Sequence, residues 1–386
     1  MTIYVVFYIF CCLLFFLISI YDFHWGSPLI RRNGRTQQIR PVQMDASAKW
    51  KKDMKWYVIL TFGALIVLLG LRAETMGYDL LPIYDPGYLP SFESINQYSW
   101  MEVLTMDSFY NYEKGYVIFN KLVGSIWVNR QFFMFVIAII SIAPVGICVY
   151  KYSSMPLMSV IVYLGIPTFM ILFGTLRQAI AVGITMLSFI MIRERKPWKF
   201  ILLVLLASTF HSSAVVFLAA YPIYHIKLSK HAQVVALLLL PVIWAVKVPL
   251  FSLITKILYG EVYLDDNGAI TLFLIFAVIY LFGILYGNRS NPHTSGLMNL
   301  FWVACAVQAV AGVYSTVNRV GYYYVMYLIL LLPEIYEDMR SSSKPWQKKI
   351  LIIGITVCFM LFGYYQIMTT EWSVSCPYVP FWNAYK

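Results

Sequence analysis

The chain has 386 residues, of which 60% are apolar and only 12% charged, where a soluble domain carries about 25% charged residues. That balance excludes an ordinary soluble enzyme or binding module. The net charge of +11 does not point to nucleic acid, because the basic residues stand in short clusters beside apolar runs, as in cytoplasmic loops of membrane proteins.

Apolar runs long enough to cross a bilayer recur from end to end. The first spans roughly 3–21. It has no basic start and no small-residue cleavage site, so it reads as a retained anchor and not as a signal peptide. The stretch 26–55 then holds Arg31, Arg32, Arg35, Arg40, Lys49, Lys51, Lys52 and Lys55 against only Asp45 and Asp53. This basic loop is expected in the cytoplasm. A second span, roughly 56–71, returns the chain to the outside.

The segment 72–130 is expected to be a large extracytoplasmic loop. It carries seven acids (Glu74, Asp79, Asp85, Glu93, Glu102, Asp107 and Glu113) and four basic residues. Its many aromatics, among them Tyr78, Tyr84, Tyr88, Tyr98, Trp100, Tyr110, Tyr112 and Tyr116, argue against disorder. They fit either an interfacial belt or a sugar-stacking surface.

Further spans are expected at roughly 131–150, 155–173 and 178–192. Lys151 turns the chain inside, as do Arg193, Arg195, Lys196 and Lys199. The turn holding Arg177 lies outside. Between Lys199 and Lys227 there is room for one ordinary span but not two. Two short helices forming a broken hairpin around Phe210-His211-Ser212-Ser213 resolve the parity. The alternative is one long span with Lys227 and Lys230 outside. Remaining spans fall at roughly 232–247, 269–287, 297–313, 321–336 and 350–366. Lys256, Glu261, Asp265, Asp266 and the Arg319 turn fall outside, and so does the tail. The expected fold is an all-α polytopic integral membrane protein of about ten to twelve transmembrane helices, one membrane domain over 1–386.

This orientation gathers Arg177, His211 and Arg319 at one membrane face. Charged groups so near hydrocarbon are costly and by default functional, although an arginine at a helix end can also snorkel to headgroups and a lone histidine can satisfy a carbonyl. Two arginines favour an anion held bidentately, and near a membrane a lipid-linked phosphate or pyrophosphate is the natural one. Asp79 and Glu113 in the outer loop are candidate bases beside His211; each could also be a solvated loop acid. Phosphate-loop, dinucleotide, serine-hydrolase and zinc-protease motifs are absent. Cys11, Cys12, Cys148, Cys305 and Cys358 lie in apolar runs, Cys376 lies in the tail, and no Cys/His metal spacing occurs.

Arg72, then Gly77-x-Asp79, Glu113-x-Gly115-Tyr116, Arg177-Gln178-x-x-Ala181, Phe210-His211-x-Ser213-Ala214, and Arg319 before a tyrosine run together resemble the EpsG-like group of O-antigen and exopolysaccharide polymerases, also called Wzy. The resemblance covers about residues 55–330, without the basic loop or the tail. It implies a glycosyltransferase in the bacterial plasma (inner) membrane with its active site facing the periplasm or exterior. The growing glycan on undecaprenyl pyrophosphate is transferred to a lipid-linked repeat unit. His211, Glu113 and Asp79 become the catalytic candidates. Arg177, Arg319, Arg72, Gln178 and Tyr116 become pyrophosphate- or substrate-binding candidates. No metal or cofactor is implied, because fixed arginines can stabilise the leaving pyrophosphate electrostatically. The implied partners are the two lipid-linked glycans, membrane lipids and a chain-length regulator protein, with no nucleic acid. A polysaccharide ligase shares this donor and leaving group. A lipid-linked oligosaccharide flippase is the rival from another class, but its expected internal repeats are not evident.

Overall fold

The computed structural model describes residues 40–81, 86–259, 270–313, 317–342 and 378–383, with isolated positions within 6–13 and 354–365. The described residues form helices and no strands. The chain is an all-α polytopic membrane protein. The expected first and last spans lie largely outside the described residues, as do residues 26–39 of the basic loop and Glu261, Asp265 and Asp266.

Helix α1 (Arg40–Gly70) begins within the expected basic loop and runs on through the second apolar segment. The segment 72–130 is folded into three short helices, α2 (Tyr88–Gln97), α3 (Trp100–Thr105) and α4 (Lys114–Ile126). Helix α5 (Arg130–Tyr152) follows. Next come α6 (Pro156–Gly165), a 3-10 turn over Pro167–Leu172 and α7 (Leu176–Arg193). Helices α5 and α7 are long and apolar enough to cross a membrane, and so is α13 (Pro292–Ala311). At 1.5 Å rise per residue the 23 residues of α5 reach about 35 Å, enough for a hydrocarbon core of about 30 Å.

Other apolar segments are interrupted. The single span expected at 155–173 is instead α6 plus the 3-10 turn. Ile166 adopts extended φ/ψ because the ring of the following Pro167 disfavours helical geometry there. The span expected at 321–336 divides into α14 (Val317–Val325) and α15 (Leu328–Ser342). Helix α10 (Lys230–Ala245) is followed by a helix α11 (Lys247–Tyr259), where a loop was expected. The two form a pair bent by 71°. Helix α12 (Ile270–Tyr286) completes the set of apolar helices.

The expected hairpin is present. Helix α8 (Pro197–Ser208) stops at Thr209, and His211 is extended at φ −152°, ψ 114°. A 3-10 segment, Ser212–Ala219, then leads into α9 (Ala220–His225). Broken backbone of this kind is tolerated at membrane depth only when protein or a wet cavity surrounds it. Here α4, α7 and α14 supply the surroundings.

Helix α7 is the hub. It packs between α5 and α8, and α5 packs in turn along α1. A second layer centres on α13, against α9, α10, α12 and α14. Rows of exposed leucine and valine, such as Val235, Leu238 and Val242 on α10 and Leu274, Val278 and Leu281 on α12, mark faces that suit lipid and not water.

Candidate functional site

Two contacts position the 72–130 segment on the apolar helices. Arg72 is buried, and its guanidinium donates to the carbonyls of Leu69 (2.8 Å), Met76 (3.1 Å), Leu172 (3.1 Å) and Phe173 (3.3 Å). It joins the end of α1 to the turn preceding α7. Gly77, with φ +133°, lies against the Phe173 carbonyl where a side chain would overlap it. The 74–80 turn is thereby pressed onto the segment leading to Arg177. Backbone bonds from Tyr88 N to Asp79 O (2.9 Å) and from Leu89 N to Leu80 O (3.1 Å) carry the order on to α2.

Helix α4 meets the hairpin break directly. Tyr116 N donates to Thr209 O at 3.2 Å, and a Cβ on Gly115 would overlap the Thr209 side chain. Only a glycine permits this approach. It brings Glu113, at the N-cap of α4, onto the hairpin tip. Glu113 Oε1 accepts from Ser212 N at 2.9 Å and stands 3.4 Å from His211 Nδ1. Its Oε2 accepts from Arg177 Nη1 at 2.6 Å. Arg177 Nε reaches Tyr88 OH at 3.4 Å, and its guanidinium lies 4.7 Å over the Tyr112 ring, within cation–π range.

On the far side, Gln178 Nε2 donates to the Arg319 carbonyl at 2.7 Å, which fixes the Arg319 turn beside α7. Ser213 Oγ and Tyr323 OH are 3.1 Å apart, joining the hairpin to α14. Residues from the 72–130 segment, α7, the hairpin and α14 therefore converge.

The electrostatics separate the acids. Partial burial would raise the Glu113 carboxyl, but its contacts with His211, Ser212 and Arg177 outweigh this and hold it down at about 2. Asp79 keeps some solvent exposure, yet partial burial pushes its carboxyl above the ordinary 3.8, with Arg319 and Arg177 pulling the other way. Both guanidinium groups thus act on one carboxyl. His211 is buried, and its ring nitrogens are closed to water without a hydrogen bond among the described residues. The Glu113 contact lies at ion-pair distance but is not aligned as a hydrogen bond. The Arg319 side chain is exposed and forms no ion pair among the described residues.

The candidates from the sequence thus divide. Glu113, Arg177 and His211 touch or nearly touch, Gln178 braces the turn of Arg319, and Asp79 lies in the field of both arginines. Tyr116 is buried behind Tyr88 and Tyr112, with ring centroids 5.8 and 5.3 Å away. Arg72 has its guanidinium committed to carbonyls beneath the cluster. Tyr112, Ser212 and Tyr323 were not singled out as site residues. The i, i+4 spacing of Tyr112 and Tyr116 beside Glu113 was the available signal for the first.

The tail also reaches this face. Ala73 N donates to Val379 O (2.8 Å), Phe381 N to Leu71 O (2.9 Å) and Tyr378 OH to Leu68 O (2.9 Å). The model of the EpsG family matches residues 55–380, which takes in the whole cluster and the Tyr378 and Val379 contacts of the tail. The chain belongs to the EpsG family. No curated protein and no solved structure matches it. As an EpsG-family member it is a polysaccharide-polymerase-like, multi-pass membrane protein. The match extends the resemblance beyond residue 330 and includes tail residues that carried no signal in the sequence. Among the described residues no group of three or more His, Cys, Asp or Glu side chains is placed to hold a metal.

Proposed function

We propose that this protein polymerises a lipid-linked glycan at the outer face of the plasma membrane. The donor is the growing chain on undecaprenyl pyrophosphate, and the acceptor is a repeat unit on the same lipid. The observation that carries the reading is the triple engagement of Glu113 by Arg177, the Ser212 amide and His211. One carboxylate there organises both a cation suited to pyrophosphate and an imidazole suited to a hydroxyl.

With its carboxyl held near 2, Glu113 is too weak a base to deprotonate a sugar hydroxyl. Glu113 stands beside His211 as the carboxylate stands beside the histidine of a triad: a small rotation of the ring would let Nδ1–H donate to Oε1, 3.4 Å away, and the carboxylate stabilises the imidazolium. Nε2 is then the acceptor of the proton. Because that atom is covered, the acceptor sugar must displace its cover on entry. As the acceptor oxygen bonds to the anomeric carbon, the bond from that carbon to the pyrophosphate oxygen breaks. The electron pair leaves on undecaprenyl pyrophosphate, and the hydroxyl proton passes to His211. Arg177 and the exposed Arg319 stabilise the departing charge. A transferred chain and a free lipid pyrophosphate result.

The charge bias supports an outward-facing site: the 26–55 stretch is basic and the 72–130 segment acidic. A chain-length regulator protein is a further proposed partner. The test is the surface-polysaccharide ladder of a strain lacking this chain. Loss of every band above one attached repeat unit is expected. Loss of all attached units would instead indicate a ligase or flippase.

A further inference from the structure

The large side chains of the outer segment fall into two sets, one packed inward and one exposed. Tyr88, Tyr112 and Tyr116 turn inward against one another and Arg177. A second set turns outward from α3 and the end of α4. Met101 is 72% exposed, Ile126 77% and Trp127 59%, and Trp100, Leu104 and Leu122 are exposed beside them.

We propose that Trp100, Met101, Leu104, Leu122, Ile126 and Trp127 form a lipid-docking face that anchors the outer segment in the bilayer interface. It deepens the reading above by stating where the loop lies, and depends on it only for which leaflet is meant. Three observations favour lipid as the occupant.

The face is continuous with a spanning helix. Trp127 lies three residues before α5 and packs on Phe132 with ring centroids 5.8 Å apart. Ile139 and Ile147 of that helix are exposed as well.

The neighbouring charges are turned away from it. Lys114 Nζ donates to Val103 O (2.8 Å) and Met106 O (2.7 Å), and Lys121 Nζ to Asn96 O (3.2 Å) and to Tyr98 O. The Glu102 carboxylate folds back on Ser99 N at 2.7 Å in a capping box. Charges satisfied locally by backbone suit an interface poor in water.

Helices α2, α3 and α4 share packing that ties the face together. Ile95, Val103, Phe109 and Val117 form a small core of their own beneath the face. An amphipathic unit of this kind buries its apolar side about 5–10 Å into the headgroup and acyl boundary. Since Glu113 begins α4, lipid docking would set it and Arg177 near the level of lipid-borne pyrophosphates.

The test uses the full chain in phosphatidylethanolamine–phosphatidylglycerol nanodiscs whose acyl chains carry a shallow spin label. A bimane probe is attached at Leu104→Cys, Ile126→Cys or Asp107→Cys, each in a background without the native cysteines. Probes at 104 and 126 should be quenched several-fold more strongly by the labelled lipid than the probe at 107, and aqueous iodide should give the reverse order. Iodide quenching at 104 equal to that at 107 would overturn the proposal. So would shielding of the probe at 104 from both quenchers together with disulfide formation between two copies of the unlabelled Leu104→Cys protein, which would identify a second protomer as the occupant. Neither outcome touches polymer formation, so the functional reading is tested separately.

Discussion

Glu113 and Arg177, 64 residues apart in sequence, meet in a 2.6 Å ion pair whose side chains are about one-fifth exposed. The pair joins the 72–130 segment to the hub helix α7, and the same carboxylate reaches the hairpin through Ser212 and His211. Removing its charge should therefore affect both stability and catalysis.

Glu113→Gln is expected to lower polymer synthesis by on the order of a hundredfold and to destabilise the fold by about 1–3 kcal/mol at neutral pH. The stability loss has a defined pH dependence. A carboxyl depressed to about 2 from 4.5 stabilises the fold fully above 4.5, and that contribution fades as the pH falls toward 2. Thermal unfolding of wild type and Glu113→Gln in detergent should show a gap that closes over this range. A gap of constant size would mean that the ionised pairing is absent.

Arg177 and Arg72 should respond differently to lysine. Arg177→Lys keeps a charge beside Glu113 but loses the planar fork, so polymer should fall sharply while the melting temperature stays near wild type. Arg319→Lys should behave alike. Arg72→Lys cannot serve four carbonyls from one ammonium, and unsatisfied buried groups cost about 1–3 kcal/mol each. Its melting temperature and membrane yield should drop. The comparison needs only polymer ladders and thermal-shift data on the three variants.

His211 separates base from donor by substitution. As the base, it should lose activity on the order of a hundredfold or more in both His211→Gln and His211→Ala. Substantial activity in His211→Gln alone would reduce it to a hydrogen-bond donor. Normal polymer from His211→Ala would transfer the base role to Asp79, whose carboxyl burial pushes upward.

Much of this was legible in the sequence because membrane spans are read from length and apolarity alone. Arg130–Tyr152 and Leu176–Arg193 fall where the apolar runs placed them. The short interval from Lys199 to Lys227 favoured a broken hairpin at His211 over one long span. Interruptions at Ile166 and between Val325 and Leu328 were missed, because continuous apolarity masks a break whose backbone groups are satisfied inside the protein. The bonding of Arg72 was also hidden: its carbonyl partners at Leu172 and Phe173 lie 100 and 101 residues away and leave no trace in residue type. Nor could spacing show which acid pairs with Arg177. That depends on Gly115 allowing α4 to reach Thr209.

Gly115→Val should separate α4 from the hairpin, since even a Cβ overlaps Thr209. Polymer is expected to fall with Glu113, Arg177 and His211 all intact. Wild-type polymer from this variant would show that the Tyr116–Thr209 contact does not set the position of Glu113.

Orientation is tested by labelling from outside intact cells. Gln97→Cys should react with an impermeant maleimide and Arg40→Cys should not, given the basic and acidic bias of the two segments. Labelling at 40 but not at 97 would invert the topology.

The most direct measurement is reconstitution of the purified protein in liposomes with an undecaprenyl-pyrophosphate-linked repeat unit, counting new glycosidic bonds and released undecaprenyl pyrophosphate together. The expected result is a polymer ladder with one lipid pyrophosphate released per bond, abolished in His211→Ala and Arg177→Lys. Transbilayer movement of the substrate with no new bond, or an unchanged ladder from both variants, would contradict it.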